Sequence, residues 1–571
     1  MSFRGGGCLA AAWFFALAGQ VHAQPADAAV REERRAQERS DELRQRLEPA
    51  PSVRLPSQAG DNPRIPAEGI CFALRSVTFA GQSELATDDE LRASLAGTAG
   101  DDAPIGRCVG AAGFSILASR VQNQLIAKGF VTTRVFVPPQ DVSQGTLHLV
   151  VVPGRLHSVR TASGQALPPV APLQKGAVLN LRAMEQALEN FKRVPTAEVD
   201  FKIEPSEEDA TLGPGWSDVV VTWSQPRPWR LSLTADDGGT KATGRYQGTF
   251  TLSLDNALGL NDLFYATASR DLGGGEGQGE RGTRAQTVHL SIPYGWWLVG
   301  ATASTNRFYQ RVAGASQTYV YSGTSATAEV KAACLLRRDA VGKTSAYVRA
   351  FTRSSSNAID DIEIELQRRR VGGWELGMNH HAFVGPATLD LSAGYRRGTG
   401  AFGSRPAPEE LVGEGTSRMA LAFADAAVAV PFQSFGQRWR ASSQWRAQWN
   451  RTPLTPQDRF SIGGRYTVRG FSGEQTLVAE RGWLIRNELA MALGESGQEF
   501  FAWLDHGQVG GPSVQRLIGR SLSGAGIGLR GGTQAAAGAF QYEFFVGTPI
   551  GKPDGFQAAR TTGGFSVSWS Y

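Results

Sequence analysis

The last seven residues of the chain, Phe565-Ser-Val-Ser-Trp-Ser-Tyr571, alternate bulky apolar side chains with serine. Because successive side chains of a strand point to opposite faces, such a strand has one apolar face and one polar face. The same alternation recurs from about Arg230 onward, between turns rich in glycine and charged residues. A soluble sheet can also alternate, but a long series of alternating segments is typical of a β-barrel with lipid outside and water inside. The pattern therefore predicts a transmembrane β-barrel over residues 227–571.

The remaining hydrophobic stretches indicate an exported protein. Arg4, the apolar segment 9–18 and the small-residue site Val21-His-Ala23 predict a secretory signal peptide over residues 1–23. No other segment contains the roughly 18 apolar residues that a spanning helix needs. Within lipid only helices and closed barrels satisfy every backbone polar group, so the barrel is the predicted way to span. Export and a barrel together predict the outer membrane, with the domains ahead of the barrel in the periplasm.

Residues 24–48 form a charged, helix-favouring segment whose only large apolar residues are Val30, Leu43 and Leu47. That stripe is too narrow to bury a helix against an apolar core. Two interpretations are open, a disordered solvated arm and a helix that lies in a polar channel. The next segment, residues 49–70, is a linker that its five prolines make stiff and extended.

Two small α+β units are predicted between the linker and the barrel. The first, residues 71–155, contains a strand over 72–79, two helices and two further strands, and Thr87 with Glu90 forms a capping box for the first helix. The second, residues 156–226, contains a strand, a helix over 181–191 and two more strands.

A disulfide is expected to staple the first unit, because a domain of this size has a small core. Cys71 and Cys108 both fall within it, and the periplasm oxidises thiols. Two free thiols are the alternative.

The barrel is predicted to have sixteen strands, and an even number places the first and the last strand so that the chain enters and leaves the barrel on the periplasmic side, as in bacterial barrels. One long strand is assigned to Ile364–Trp374. The others are centred on Leu233, Thr251, Ala266, His289, Ala301, Ala328, Val348, Leu391, Phe423, Trp445, Ile485, Trp503, Ile527, Tyr542 and Ser566.

Three motifs resemble the two-partner secretion transporters of the outer membrane. Asp237-Gly-Gly239, followed by Thr243–Gly248, is similar to the opening of their barrel. Ser461–Phe471 is similar to their hallmark loop, in which Val-Arg-Gly precedes an aromatic residue. Cys71-Phe72 and Val151–Arg155 resemble parts of their first POTRA (polypeptide-transport-associated) domain. The resemblance covers nearly the whole chain after the signal peptide.

The fold that this resemblance implies is an all-β membrane barrel of 16 antiparallel strands, preceded by two small α+β POTRA domains and an N-terminal helix. The POTRA domains correspond to residues 71–155 and 156–226. The N-terminal helix, residues 24–48, is expected to plug the lumen at rest.

The resemblance also implies a role for the loop around residues 455–475, which is expected to fold back into the lumen. There Arg469, within Val468-Arg-Gly470-Phe471, is expected to meet a carboxylate, and a solvated loop arginine is the alternative. Trp503-Leu-Asp505-His-Gly507 resembles the strand that supplies this carboxylate, with Trp503 where phenylalanine is usual. Trp569 and Tyr571 are expected to belong to a C-terminal signal for barrel assembly.

The implied function is export of one large unfolded exoprotein, an adhesin or cytolysin, which the POTRA domains recognise in the periplasm. A BamA-like outer-membrane protein assembly factor is the alternative, although the charged N-terminal helix disfavours it. The expected partners are the exoprotein, the lipid bilayer and the barrel assembly machinery. Nucleic acid is not expected, because the basic residues are scattered. No metal or cofactor is expected either, and since no convincing catalytic motif is found, the chain is predicted not to be an enzyme.

Overall fold

The computed structural model describes residues 25–48, 51–56, 60–162, 170–206, 215–274, 280–314 and 316–571. The signal peptide predicted for residues 1–23 lies outside the described residues. A 23-residue helix, α1 (Pro25–Leu47), comes first in the described chain. In the described ranges, no helix is both long enough and apolar enough to cross a membrane.

The first α+β unit packs helices on a three-stranded sheet. Its elements are β1 (Phe72–Ala73), β2 (Ser76–Ala80), α2 (Asp88–Ser94), β3 (Cys108–Val109), α3 (Ala111–Ala127), β4 (Arg134–Phe136) and β5 (Thr146–Val152). The sheet has the order β2-β5-β4, with β2 parallel and β4 antiparallel to β5. Leu117, Val121 and Leu125 of α3 share one helix face and join a buried core with Leu147 and Leu149 of β5.

The segment 72–79, predicted as one strand, consists of two short strands, and this part of the prediction is wrong. Between them the backbone N–H groups of Leu74 and Arg75 bond to carbonyls outside a strand ladder. As a result β1 pairs with β3 and not with the main sheet. The Cys71–Cys108 disulfide closes this two-stranded ladder, with the Cα atoms 5.2 Å apart. At α2, Thr87 and Glu90 form the capping box.

A buried ion pair joins α3 to the linker in front of the first unit. The Arg120 guanidinium, whose side chain is 1% exposed, donates to the Asp102 carboxylate at 2.5 Å and to the carbonyl of Pro63 at 2.7 Å. Asp102 also pairs with Arg107 and accepts the Ile65 backbone N–H at 2.9 Å. Burial opposes the charged form, but these donors outweigh it and hold the pKa of Asp102 well below its usual range.

The second α+β unit repeats the arrangement with one helix. Its elements are β6 (Arg155–Thr161), α4 (Leu181–Lys192), β7 (Glu198–Pro205) and β8 (Trp216–Ser224), and the sheet order is β6-β8-β7. The Asn180 side chain caps α4 by accepting the Arg182 N–H at 2.8 Å. Val53 and Leu55 of the linker pack on the core of this unit, so the linker forms part of its structure.

The rest of the described chain forms a closed antiparallel barrel, and the prediction of sixteen strands is confirmed for the described residues. Each strand pairs with the next along the chain, and the last pairs with the first over Ser566–Ser570 and Ser232–Asp236. The barrel strands are β9 (Trp229–Asp236), β10 (Tyr246–Asp255), β11 (Leu263–Gly273), β12 (Gly282–Tyr294), β13 (Trp297–Ala313), β14 (Thr318–Arg338), β15 (Gly342–Ile359), β17 (Arg369–Val384), β18 (Ala387–Thr399), β19 (Ala420–Ser434), β20 (Gln437–Asn450), β23 (Arg481–Ala492), β24 (Glu499–Gly510), β25 (Ser521–Ala535), β26 (Gly538–Gly551) and β27 (Thr562–Ser570). Three short strands lie in loops, β16 (Ile362–Glu363), β21 (Phe460–Ile462) and β22 (Leu477–Ala479).

The prediction of one strand over Ile364–Trp374 is wrong for residues 364–368. Asp360 and Asp361 adopt positive φ angles of 46° and 67°, and the chain reverses there so that β16 pairs back on β15. A 3₁₀ turn follows over Glu365–Gln367, and the barrel strand begins only at Arg369. Alternation in the sequence continues through this hairpin, so it did not indicate the break.

The two faces of the barrel wall differ as the alternation predicts. Side chains exposed on the outer face are mostly apolar, among them Phe250, Val288, Val330 and Ile527. Alternate positions hold polar side chains that point inward, such as Thr302 and Glu329, which bond to α1 in the lumen. The barrel end that continues from the second α+β unit has tight hairpins, and the longest loops lie at the opposite end.

Candidate functional site in the barrel lumen

The loop between β20 and β23, residues 451–480, folds back into the lumen. Its strands β21 and β22 form an antiparallel hairpin. Ile462, Val468 and Leu477 of the loop share a buried core with Leu484 of β23 and Leu522 of β25. Apolar packing on the inner wall therefore holds the loop, although most inward positions of the barrel are polar.

Arg469 lies at the tip of this loop and contacts two carboxylates on adjacent strands. Its Nε and Nη2 donate to Asp505 Oδ2 and Oδ1 at 2.8 and 3.0 Å, and its Nη1 donates to Glu488 Oε2 at 2.8 Å. The backbone N–H of Arg469 donates a third bond to Asp505 at 3.1 Å. Such a fork-to-fork pair fixes direction as well as charge, and Asp505 is 0% exposed.

Glycines allow the loop backbone to lie directly on the wall. A Cβ atom at Gly524 of β25 would lie 1.9 Å from the Arg469 carbonyl oxygen. Gly470 has φ +94°, and a Cβ there would lie 2.7 Å from the Thr548 carbonyl oxygen. Gly507 leaves room for Val468, whose Cγ2 would be 2.9 Å from an added Cβ. A side chain at any of these positions would push the loop off the wall.

Trp503, which stands where phenylalanine is usual in the similar family motif, has its ring face against the guanidinium of Arg469. The Arg469 Cζ is 4.8 Å from the indole ring centroid, a distance at which a cation is attracted by the ring face. Room for the larger ring comes from Gly526 and Gly547, where an added Cβ would lie 2.2 and 2.8 Å from Trp503 Cζ2. The indole is 4% exposed.

The neighbouring charges extend this pair into a network. Glu488 also pairs with Arg530 at 2.8 Å, and Arg530 pairs with Glu499 at 2.8 Å. Arg486 lies 3.8 Å from Asp505. Because each carboxylate is shared between cations, loss of Arg469 would change the partners of the whole group.

A second arginine of the loop reaches the place where the barrel closes. Arg465 Nη1 donates to Asp237 Oδ1 at 2.9 Å and to the Phe565 carbonyl at 3.1 Å. Asp237 follows β9 and Phe565 lies on β27, so this contact bridges the first and last strands. Asp237 also accepts the Phe565 N–H at 2.9 Å.

Helix α1 lies inside the barrel and contacts strands on several sides of the wall. Arg39 donates to Asp236 at 3.3 Å on β9 and to Gln247 at 3.0 Å on β10. Arg44 donates to Glu329 at 2.8 Å on β14. Arg34 donates to the Pro456 carbonyl of the inward loop at 2.9 Å. At 1.5 Å per residue the 23-residue helix is about 34 Å long.

The half of the lumen nearer the two α+β units retains a cavity of about 1,020 Å³ beside α1. Its wall carries charges of both signs, among them Glu48, Lys331, Arg446 and Arg486. Among the described residues, no three His, Cys, Asp or Glu side chains are grouped as a metal site. The lumen is thus a passage that a helix and a loop obstruct.

The linker that leads from α1 to the first unit is clamped between α4 and the barrel. Glu189 and Glu185 accept the backbone N–H groups of Val53 and Leu55 at 2.8 and 3.0 Å. Arg338, at the end of β14, pairs with both carboxylates at 2.9 and 3.0 Å. Its side chain is 6% exposed, so this contact between the barrel and the second unit is dry.

The residues singled out by sequence thus lie where the loop meets the wall. Arg469 bonds to Asp505, Val468 lies against Gly507, and Gly470 lies against the backbone of Thr548. Phe471 packs edge-on against Phe556, with ring centroids 5.7 Å apart. Trp569 and Tyr571 lie at the closing strand, where Trp569 Nε1 donates to the Ala537 carbonyl at 3.0 Å and Tyr571 exchanges backbone bonds with Leu231.

Sequence reasoning missed the partners that complete the site. Glu488, Arg530 and Arg465 are ordinary inward or loop positions in the alternating pattern, and no local signal marks them. Glu185 and Glu189 could have been noticed, because acidic residues four apart on a short helix with buried apolar neighbours suggest a cationic partner. The identity of that partner, Arg338, depends on the fold alone.

Family comparison places the barrel and both α+β units in known groups. Residues 215–531 match the family described as haemolysin secretion/activation protein ShlB/FhaC/HecB. Residues 72–154 match the POTRA domain of ShlB type, and residues 156–205 match a POTRA domain.

Curated relatives and solved structures agree with that match. The chain is 35% identical over 466 residues to the outer membrane transporter CdiB-2 of Burkholderia pseudomallei, covering 81% of this chain and 79% of the relative. It is 22% identical over 432 residues to the hemolysin transporter protein ShlB of Serratia marcescens, covering 75% and 73%. The structure of CdiB from Escherichia coli superposes with a TM-score of 0.83 at 25% identity, covering 95% of this chain and 98% of that one. The structure of CdiB from Acinetobacter baumannii superposes with a TM-score of 0.79 at 27% identity, covering 95% of this chain and 99% of that one.

Proposed function

The chain belongs to the ShlB/FhaC/HecB family of haemolysin secretion/activation proteins, and from this premise we propose how it exports its cargo. It is an outer-membrane transporter of the two-partner secretion type, with its POTRA domains in the periplasm. In our proposal one large exoprotein, an adhesin or cytolysin, is captured unfolded by the POTRA domains and threaded through the lumen.

The observation that carries this proposal is the double occupancy of the lumen by α1 and the inward loop. Arg44 holds the helix to Glu329, and Arg469 holds the loop to Asp505 and Glu488. Charge pairs in a wet lumen are weaker than dry ones, so they can open and re-form. A passage in which polar contacts hold the helix and the tip of the loop suits a pore that must admit a chain and then reseal.

Cargo recognition is proposed to use the edge strands of the POTRA sheets. In the first unit β2 and β4 are the edge strands, and in the second β6 and β7 are. An extended peptide can add to such an edge through backbone hydrogen bonds. Phe136 on β4 is 52% exposed and offers an apolar contact beside that edge.

Biogenesis is proposed to depend on the C-terminal strand and the barrel assembly machinery. Trp569 and Tyr571 stack with ring centroids 6.2 Å apart, and Tyr571 also lies 5.7 Å from Trp229 of the first strand. A terminal aromatic strand that also forms the closing pair is a suitable recognition element, because its insertion completes the barrel.

The test is secretion by a defined pair. A host without a family member would express this chain together with the exoprotein encoded beside it, and the exoprotein is expected in the medium only when both are present. The BamA-like alternative predicts a different result, namely depletion of unrelated outer-membrane barrels when the chain is removed. Retention of the exoprotein in the periplasm beside a correctly inserted barrel would reject the export proposal.

A further inference from the structure

Three arginines form a row across the outer face of the barrel. Arg270 of β11 lies directly opposite Arg284 of β12, and Arg284 lies directly opposite Arg307 of β13. All three side chains are exposed. Neighbouring strands are about 4.8 Å apart, so the row spans about 10 Å.

The side chains of the row point away from the lumen. On β13, positions alternate between exposed residues such as Val299 and inward residues such as Thr302, and Arg307 shares the parity of Val299. On β12, Arg284 shares the parity of Val288, which is 46% exposed. The row therefore faces the lipid and not the passage.

The position of the row along the barrel corresponds to the edge of the membrane. Trp297, exposed on the same face of β13 at the periplasmic end, precedes Arg307 by ten residues. At about 3.4 Å per residue and a tilt of about 40°, that separation is about 26 Å along the barrel axis. The lipid-facing band of such barrels is about 25 Å tall, so the arginines lie at the height of the outer headgroups.

The charges of the row are not balanced within the described chain. Like charges directly opposite each other on neighbouring strands are destabilising. Within the described residues, Arg270, Arg284 and Arg307 have neither an ion pair nor a side-chain hydrogen bond to offset this. Arginines of the lumen differ, since Arg349 pairs with Glu329 at 2.9 Å and also with Glu375.

We propose that this arginine row binds the phosphorylated headgroup of a glycolipid in the outer leaflet. A guanidinium matches a phosphate through two parallel hydrogen bonds, and three in a row can hold the two phosphates of one headgroup. Apolar side chains below the row, such as Val288, are placed to contact the acyl chains. Arg311, exposed on the same face of β13 beyond Tyr309, extends the basic surface toward the outside.

The site lies on the strands next to the anchoring contacts of α1. Inward neighbours of the row include Thr283, which donates to Gln247 at 3.0 Å, and Gln247 in turn accepts from Arg39 of the helix. A bound headgroup would neutralise the repulsion across β11, β12 and β13 and so hold together the wall on which the helix rests.

The experiment compares two lipids and three variants of the full-length protein. Detergent-solubilised protein is mixed with bis-phosphorylated lipid A or with the same lipid after enzymatic removal of both phosphates, and bound lipid is counted by native mass spectrometry. We expect the phosphorylated lipid to bind and the dephosphorylated lipid not to. Inorganic phosphate at the same phosphate concentration should not displace the bound phosphorylated lipid. Equal binding of the two lipids, or full displacement by inorganic phosphate, would overturn the proposal.

The variants assign the binding to the row. Arg270→Gln, Arg284→Gln and Arg307→Gln together are expected to weaken binding on the order of 100-fold, at about 1 kcal/mol per arginine. Replacement of the same three by lysine keeps the charge but loses the paired donors of the guanidinium, so this variant should bind more tightly than the glutamine variant and more weakly than wild type. The charge-matched control replaces three exposed arginines outside the barrel with glutamine, Arg64 of the linker and Arg92 and Arg134 of the first POTRA unit, and should bind as wild type. Wild-type binding by the row variant would reject the site, and the two-lipid comparison stands even if that variant inserts poorly.

Discussion

The guanidinium of Arg469 meets the carboxylate of Asp505 through two parallel hydrogen bonds, of 2.8 and 3.0 Å, from the tip of an inward loop to the barrel wall. The Asp505 side chain is 0% exposed, while Arg469 retains 11% exposure toward the lumen. A carboxylate this enclosed depends on its cationic partner, because an unpaired buried charge is costly.

Arg469→Ala is expected to reduce export sharply while the barrel still inserts. Removal of one partner of an enclosed pair costs about 3–5 kcal/mol, less where water reaches the lumen. Secreted exoprotein would be measured by immunoblot of the medium, and insertion by the heat-dependent gel mobility of the barrel. Arg516→Ala is the matched control, because Arg516 is 74% exposed and its carboxylate partner, Glu414, lies outside the lumen network. Normal export by Arg469→Ala would show that the pair has no role in transport.

Removal of residues 27–48 is expected to raise single-channel conductance in planar bilayers. The helix lies in the lumen and is bonded to its wall through Arg39 and Arg44. Arg39→Ala with Arg44→Ala should increase the fraction of time in the open state without changing the fully open conductance. Glu42→Ala with Arg46→Ala removes an i,i+4 pair within the helix and is expected to leave conductance as in wild type. If conductance is unchanged by the deletion, the helix does not obstruct the pore in a membrane.

Arg338→Ala is expected to expose the linker to proteolysis. It leaves Glu185 and Glu189 without the cation that they share, and these carboxylates hold the backbone of Val53 and Leu55. Trypsin cleavage after Arg54 should accelerate by at least about tenfold, since proteolysis follows the population of the opened linker. The neighbouring Arg337→Ala is the control, because Arg337 is 79% exposed. Equal cleavage of the two variants would show that the clamp does not hold the linker.

Asp102→Asn is expected to destabilise the first POTRA unit at neutral pH by about 3–5 kcal/mol, because Arg120 would lose its buried counter-charge. The pKa of Asp102 is lowered in the folded state, so its stabilisation is complete above the unfolded value of about 3.9. It is lost as the pH falls below that value and through the folded pKa.

Hydrogen exchange of residues 111–127 in the full-length protein measures this effect. Wild type should be better protected than Asp102→Asn at pH 7, and the difference should shrink as the pH falls below about 4. Asp101→Asn, at an adjacent side chain that is 53% exposed, should exchange like wild type. A difference between wild type and Asp102→Asn that does not depend on pH would contradict the role of the carboxylate.

Local patterns predicted the barrel well because each strand carries its own period-two signal. Strands near Leu233, Val348 and Trp503 lie within β9, β15 and β24. The capping box of Thr87 and Glu90 is likewise a relation between residues three apart. The error at Ile364–Trp374 arose where alternation continued through a loop, and there the turn at Asp360 and Asp361 was the signal that mattered.

The sequence by itself indicated the barrel and the two units before it through short-range periodicity, and it indicated the loop that carries Arg469 through a motif that resembles those of a known family. Only the tertiary structure decided which charges meet. Arg338 reaches Glu185 across 153 residues of chain. The choice between a helix in the lumen and a solvated arm for α1 likewise depended on the polar wall to which the helix bonds. The row of Arg270, Arg284 and Arg307 likewise exists only through strand register, since one residue of slip would turn one of these side chains to the other face.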